Sequence, residues 1–110
     1  RQYRTDAPEG NDPLRDLAQK FADMNDCSVL YDQEKHRPNL IVETAKARGA
    51  KGLIVVLTKF CDPEEFDYVM IKRACDDAGI PVALVEVDRQ MKEFEQVRTN
   101  LETFRDVLTM

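Results

Sequence analysis

Two apolar runs joined by a helical segment constrain the fold of this chain most. Leu53–Leu57 and Val82–Val87 are largely apolar, and the first is continuous rather than alternating, which is typical of a strand that helices cover on both faces. Between them, Asp62 and Pro63 open a segment with apolar residues at helical spacing, which ends at Gly79. A strand, a helix and a second strand with a short return predict a βαβ unit with parallel strands and a right-handed crossover.

The N-terminal third of the sequence is predicted to contain a helix and a short strand. Residues 1–11 are polar and rich in turn formers, and we expect a linker or frayed end there. Asp12 as N-cap and Pro13 at the first helical position start a helix. Its apolar stripe consists of Leu14, Leu17, Ala18, Phe21 and Met24. Residues 27–31 predict a short strand, and residues 12–110 are expected to form one domain.

Two further helices complete the predicted order. The charged segment Asp32–Pro38 is expected to be irregular and to precede a helix over about Leu40–Ala47, which stops at Gly49. The last helix is predicted to begin at about Met91. The predicted fold class is therefore α/β. It has a small parallel sheet of two to three strands flanked by helices, a flavodoxin-like or Rossmann-like layer of the kind that leans on another domain.

Length and charge exclude several functions. A chain of 110 residues that is 43% hydrophobic can bury one modest core. Its net charge of −5, with basic and acidic residues alternating along the predicted helices, argues against a nucleic-acid interface. No apolar run approaches the roughly 20 residues that a membrane span needs. Because the chain opens in a polar stretch without an initiator Met, we expect it to be an excerpt of a longer protein.

The turn after the first apolar run is the candidate site, because open α/β sheets bind ligands at the carboxyl ends of their strands. Cys61 lies in this turn, one residue before Asp62, which we expect to be the N-cap of the next helix in a start signal close to a capping box. The turn contains no glycine, which argues against a dinucleotide-binding fingerprint. The phosphate-loop pattern ending in Gly-Lys-Ser/Thr is also absent.

The cysteines predict neither a disulfide framework nor a self-contained zinc site, since there are three at wide spacings and no CxxC motif. We expect a reduced, cytosolic protein in which Cys27 and Cys75 are packing residues. For Cys61 two interpretations stay open on the residues alone: a functional thiol or a packing residue. A single cysteine cannot hold a cluster, so a metal site would need ligands from outside this chain. His36, the only histidine, lies in a charged loop and is expected to be solvated.

The order of several short segments resembles the C-terminal region of the 2-hydroxyacyl-CoA dehydratase family, which also includes benzoyl-CoA reductase subunits. Arg37 also stands where family members tend to carry an arginine, whereas Asn100 replaces a frequent basic residue. The resemblance covers about residues 12–108. It rests on residues 51–56 (KGLIVV), 59–64 (KFCDPE), 78–81 (AGIP), 85–88 (VEVD), 96–99 (QVRT) and 101–104 (LETF).

The resemblance implies a heterodimeric, oxygen-sensitive lyase that eliminates water from 2-hydroxyacyl-CoA through a ketyl radical. Each subunit would carry a [4Fe–4S] cluster on three cysteines with one iron open. Cys61 matches the last of these ligands, and the other two would lie upstream, outside this chain. The implied partners are a second homologous subunit, an ATP-dependent electron-donating activator and the acyl-CoA substrate. We expect N–H groups near Asp62 to donate hydrogen bonds to sulfur and Phe60 to bury the cluster. We also expect the isolated chain to bind no cluster and to be inactive.

Three alternatives remain beside the dehydratase. The first is a family member of the benzoyl-CoA reductase type, and the second is a non-catalytic, flavodoxin-like interaction module in which Cys61 only packs. The third is a cysteine-nucleophile enzyme such as a phosphocysteine carrier. The carboxylates of Asp62, Glu64 and Glu65 disfavour this last alternative, because they would repel a phosphate at the helix start.

Overall fold

A computed structural model describes residues 6–24, 27, 29 and 32–110 of the chain. Within them it contains four α-helices and two strands. In chain order these are α1 (Pro13–Ala22), α2 (Arg37–Ala47), β1 (Leu53–Thr58), α3 (Asp62–Asp77), β2 (Val82–Val87) and α4 (Glu95–Thr109). The predicted α/β class is confirmed. None of the helices in the described part combines the length and apolarity needed to cross a membrane.

The contacts divide the chain into residues 1–37 and 38–110. In the first unit, the Asp12 carboxylate caps α1 by accepting the Arg15 N–H at 3.2 Å, as the sequence predicts. The apolar stripe of α1 is open to solvent, with Leu14 80% and Phe21 73% exposed. The strand predicted over residues 27–31 falls on residues that lie largely outside the described ones.

The start of α2 differs slightly from the prediction. The Asp32 carboxylate accepts the backbone N–H groups of Glu34 at 3.1 Å and His36 at 2.9 Å, which forms a turn directly before the helix. The helix therefore begins at Arg37 instead of near residue 40. Pro38 is accommodated in the first turn, where a backbone N–H has no intrahelical partner.

The second unit contains the predicted βαβ arrangement. Strands β1 and β2 pair in parallel, in a register that runs from Leu53 opposite Val82 to Thr58 opposite Val87. Helix α3 connects them and ends at a turn in which Gly79 has a φ of 69°. That left-handed conformation costs a glycine little, which explains why the sequence signal for the helix end is reliable.

One face of the sheet carries the core. Its buried residues are Ala45 from α2, Ile71 and Cys75 from α3, and Ile80 before β2. Partly buried residues that pack around them are Ile41, Val42, Leu53, Val55, Ala78 and Val82. Burial of a side chain as large as isoleucine stabilises the fold by roughly 1.5–3 kcal/mol. The prediction that Cys75 packs is confirmed, since its exposure is 0%.

The opposite face is only partly covered, which corrects one expectation. Helix α4 packs mainly against β2, where Val85 is 3% exposed. On β1, however, Ile54 is 48% and Val56 61% exposed, so within the described residues this strand is not covered on both faces. The continuous apolar run predicted burial, but the described part of the chain supplies no element that covers this half of the sheet.

The start of α4 also differs from the prediction of about Met91. The Asp88 carboxylate accepts the Gln90 N–H at 3.0 Å and the Asp88 carbonyl accepts the Met91 N–H at 3.1 Å, so the chain turns there. The helix begins only at Glu95. This turn after β2 lies at the same edge of the sheet as the turn after β1, and the two together form the candidate site.

Candidate functional site

A groove of about 560 Å³ lies at the carboxyl ends of both strands. We call it the carboxyl-edge groove. It is lined by Thr58, Lys59, Phe60, Cys61, Asp88, Arg89 and Gln90. The parallel pairing of β1 and β2 brings the two contributing turns to one edge, which is where sheets of this kind bind ligands.

The turn after β1 is tight and fixed by backbone hydrogen bonds. The Lys59 N–H donates to the Val87 carbonyl at 2.9 Å, which extends the contact between the strands beyond β1. The Cys61 N–H donates to the Thr58 carbonyl at 3.1 Å, which closes the turn. Phe60 between them has a φ of 67°, a left-handed conformation that costs a residue with a Cβ about 1–2 kcal/mol. The turn therefore holds Cys61 in place at the cost of backbone strain at Phe60.

Cys61 is the N-cap residue of α3, which corrects the assignment of that position to Asp62. The Cys61 carbonyl accepts the N–H groups of Glu64 at 3.0 Å and Glu65 at 3.1 Å, so the helical hydrogen bonds begin one residue earlier than predicted. Asp62 is consequently the first helical residue, and the expected capping box does not form because its serine or threonine position is occupied by a cysteine. The Cys61 side chain makes no capping hydrogen bond, and its half-buried thiol remains at the groove.

The acidic first turn of α3 has a physical reason. Asp62, Glu64 and Glu65 lie at the positive end of the helix dipole, where each carboxylate is favourable by a few tenths of a kcal/mol to about 1 kcal/mol. They also make the N-terminus of α3 a poor place for a phosphate. The sequence argument against a phosphocysteine carrier stays a prediction.

Two cations line the carboxyl-edge groove beside Cys61. Lys59 follows β1 and Arg89 follows β2, and both are exposed. In the described part of the chain, neither side chain makes a hydrogen bond or an ion pair. Asp88 is the one acid among the lining residues, and its Oδ1 atom accepts the Gln90 N–H. Sequence reasoning did not single out Arg89 for the site, although the predicted parallel pairing was the signal that places the residues after β2 there.

The other residues considered from the sequence lie elsewhere or stay untested. The Phe60 ring is 90% exposed, so no part of the described chain packs over it. The roles predicted for Phe60 and Asp62 around a sulfur ligand stay predictions. Cys75 is in the core, where burial raises the pKa of its thiol. Cys27 and the exposed His36 belong to the first unit of the chain.

The fit of an iron–sulfur cluster to these residues is partial. Among the described residues, no group of three His, Cys, Asp or Glu side chains is arranged to hold a metal ion. The carboxyl-edge groove offers one half-buried thiol, which suits a single ligand position of a cluster. A complete site would need ligands from beyond the described part of this chain.

Comparison with known proteins shows the family. The family described as 2-hydroxyglutaryl-CoA dehydratase, D-component, matches residues 1–108, and the chain therefore belongs to this family. The resemblance noted from the short segments is confirmed. No solved structure matches the chain significantly.

Three curated relatives are dehydratase subunits. The chain is 53% identical over 108 residues to the (R)-phenyllactyl-CoA dehydratase beta subunit of Clostridium sporogenes. It is 35% identical over 109 residues to the lactoyl-CoA dehydratase beta subunit of Anaerotignum propionicum, and 38% identical over 112 residues to the (R)-2-hydroxyglutaryl-CoA dehydratase beta subunit of Acidaminococcus fermentans. Each comparison covers 98% of this chain but only 29%, 29% and 30%, respectively, of the relatives' own length.

Proposed function

We propose that this chain is part of a beta-type subunit of a 2-hydroxyacyl-CoA dehydratase, a lyase that eliminates water from a 2-hydroxyacyl-CoA thioester. The family match over residues 1–108 supports this proposal, as do three relatives whose names give that activity with different acyl groups. The chain spans less than a third of those relatives, so the activity belongs to the whole protein.

The observation that carries the site assignment is the position of Cys61. Its thiol lies in the carboxyl-edge groove and is not used to cap α3, while its backbone is held by hydrogen bonds on both sides. We propose that it is one of three cysteine ligands to a [4Fe–4S] cluster, the other two coming from sequence beyond this chain. When bound, the cluster would supply one-electron chemistry through a ketyl radical and an open iron that acts as a Lewis acid.

The residues around Cys61 would prepare the thiol for that role. Because the turn is closed at Thr58 and the Cys61 carbonyl is engaged by α3, the sulfur needs little rearrangement to bind metal. The N–H of Asp62 is one of the first-turn amides without an intrahelical acceptor, and it is a candidate donor to the sulfur. The exposed ring of Phe60 would exclude water from the sulfur only when another surface covers it.

Partners follow from the relatives, which are themselves subunits of larger enzymes. We propose a second homologous subunit, an ATP-hydrolysing activator that delivers one electron, and an acyl-CoA substrate. The names of the relatives, which are subunits of dehydratases and of a benzoyl-CoA reductase, support the first of these. The exposed Ile54 and Val56 are consistent with burial against a further part of such an assembly.

A benzoyl-CoA-reductase-type activity is the second candidate. A benzoyl-CoA reductase subunit of Thauera aromatica is 20% identical to this chain over 109 residues, against 35–53% for the three dehydratase subunits. The difference in identity favours the dehydratase. Turnover of a 2-hydroxyacyl-CoA and of benzoyl-CoA by the purified, reductively activated protein would separate the two activities.

The test of the ligand assignment is anaerobic reconstitution of the full-length subunit to which this chain belongs, followed by iron and sulfide analysis. We expect Cys61→Ser to lose most of the bound iron and sulfide. Cys27→Ser, which removes a thiol from the other unit of the chain, is the matched control and should retain them. Equal cluster content in both variants would refute Cys61 as a ligand.

A further inference from the structure

We infer that the carboxyl-edge groove contains an anion subsite, in which Lys59 and Arg89 bind a carboxylate or phosphate group of the substrate. The naming of the substrate as an acyl-CoA rests on the proposed function. The subsite itself rests on the geometry of the two turns after β1 and β2. No role in cluster binding is needed for it.

The first observation is the convergence of charge. Lys59 and Arg89 come from different turns, 30 positions apart in sequence, and line one groove because β1 and β2 are parallel and in register. In the part of the chain that the structure describes, neither cation has an acidic partner. The chain as a whole has a net charge of −5, and this pair is therefore a local positive feature beside Cys61.

The second observation is the set of neutral donors that line the groove with the cations. The hydroxyl of Thr58 and the side-chain amide of Gln90 line the same groove, and in the described part of the chain neither side chain makes a hydrogen bond. Together with a guanidinium fork and an ammonium group, these donors suit the several oxygens of a carboxylate or phosphate.

The one carboxylate in the lining does not cancel the two cations. The Oδ1 atom of Asp88 accepts the Gln90 N–H at 3.0 Å, so this side chain is held in its own turn. Lys59 and Arg89 outnumber it, and the acids of α3 begin at Asp62, which is not among the groove-lining residues. The balance of charge in the carboxyl-edge groove is therefore positive.

The shared ligand chemistry is an anionic oxygen group with two sources in an acyl-CoA. One is the phosphates of the coenzyme, and the other is a carboxylate on the acyl group. Three probes distinguish them. Inorganic phosphate tests whether the groove binds an anionic oxygen group at all. Coenzyme A carries phosphates without an acyl carboxylate, and glutarate carries carboxylates without phosphate. Backbone amide shifts of the isotope-labelled chain during each titration would locate the binding.

We expect saturable shifts at residues 58–61 and 88–90 with inorganic phosphate, and with whichever of the other two probes resembles the natural source. Lys59→Gln and Arg89→Gln should each weaken binding about tenfold, the loss expected for one charge-assisted hydrogen bond. The matched controls are Lys51→Gln and Arg48→Gln, which make the same changes of charge at the opposite end of β1 and should leave binding unchanged. Circular dichroism of each variant checks that these exposed substitutions leave the fold intact.

Two results would overturn the subsite: no saturable shift at these amides with any probe, or equal weakening by the controls, which would indicate unspecific attraction. Cys61→Ser separates the subsite from the proposed function, since anion binding should survive it. If Cys61→Ser in the full-length subunit keeps its iron, and the anion still binds to the chain, the cluster assignment fails and the subsite stands. If the iron is lost and no anion binds to the parent chain, the subsite fails and the cluster assignment stands.

Discussion

Replacement of Gly52 by alanine tests how α4 packs against the sheet. A Cβ atom at this position would lie 2.7 Å from Cζ of Phe104 and 2.9 Å from Cδ2 of Leu108. Both distances are shorter than carbon atoms tolerate, so the ring and the leucine must shift. Overpacking of this kind costs about 1–3 kcal/mol. Alanine also lowers the conformational entropy of the unfolded chain, which stabilises the folded state by about 0.4–1 kcal/mol.

The two terms together predict a loss of about 0–2.6 kcal/mol in the free energy of unfolding for Gly52→Ala, or about 1.3 kcal/mol at their midpoints. In a urea titration followed by circular dichroism, the midpoint should fall while the slope stays constant. Phe104→Leu removes the ring atom nearest the new Cβ, so Gly52→Ala should cost less in that background.

The neighbouring Lys51→Ala serves as a control, because replacing this exposed side chain should change the free energy of unfolding by no more than about 0.5 kcal/mol. A Gly52→Ala chain that is more stable than the parent would refute the packing of α4 at this position. A cost unchanged by Phe104→Leu would place the close contact at Leu108 instead of at the ring.

Three further predictions follow from single residues. Iodoacetamide should alkylate Cys61 in the folded chain and Cys75 only after unfolding, because Cys75 is fully buried and burial raises the pKa of its thiol. Mass spectrometry at matched times measures the labelling of each cysteine, and equal labelling of the two in the folded chain would contradict this prediction. The hydrogen bond to Asp76 raises the pKa of Lys72, so this pair stabilises the fold below the lysine's unfolded pKa and stops doing so as pH rises through the folded value. The difference between the urea midpoints of the parent and Lys72→Ala should therefore shrink as pH rises through the folded pKa of Lys72, and a difference that stays constant there would contradict the ion pair. Asp12→Ala should reduce helix content and cost about 1 kcal/mol, since it removes the cap of α1; unchanged ellipticity would argue against this cap.

The parallel unit around the sheet could be predicted because local signals there agree with the fold. A continuous apolar run, a proline in the first turn of α3 and Gly79 at its end each determine local structure without help from distant residues. The exposure of Ile54 and Val56 could not be predicted, since it depends on where α4 packs against the sheet. Sequence patterns report what a strand can bury, whereas tertiary packing decides what it does bury.

The candidate site was predicted in part. The position of Cys61 at the carboxyl edge of the sheet could be predicted because the residues that follow a strand lie there. Its role as N-cap was missed, since cysteine is not a usual capping residue and Asp62 is. Arg89 was missed because its place beside Lys59 exists only after β1 and β2 have paired. The proposed dehydratase chemistry rests on family membership and not on periodicity or spacing in the sequence.

The most direct test of Cys61 as a cluster ligand is thiol footprinting on the anaerobically isolated, full-length protein that contains this chain. The protein is treated with iodoacetamide before and after removal of iron by a chelator, and Cys61 and Cys27 are compared by mass spectrometry. We predict that Cys61 is protected while iron is bound and is labelled once iron is removed, with Cys27 labelled equally in both states. Full labelling of Cys61 in the iron-loaded protein would contradict its assignment as a ligand.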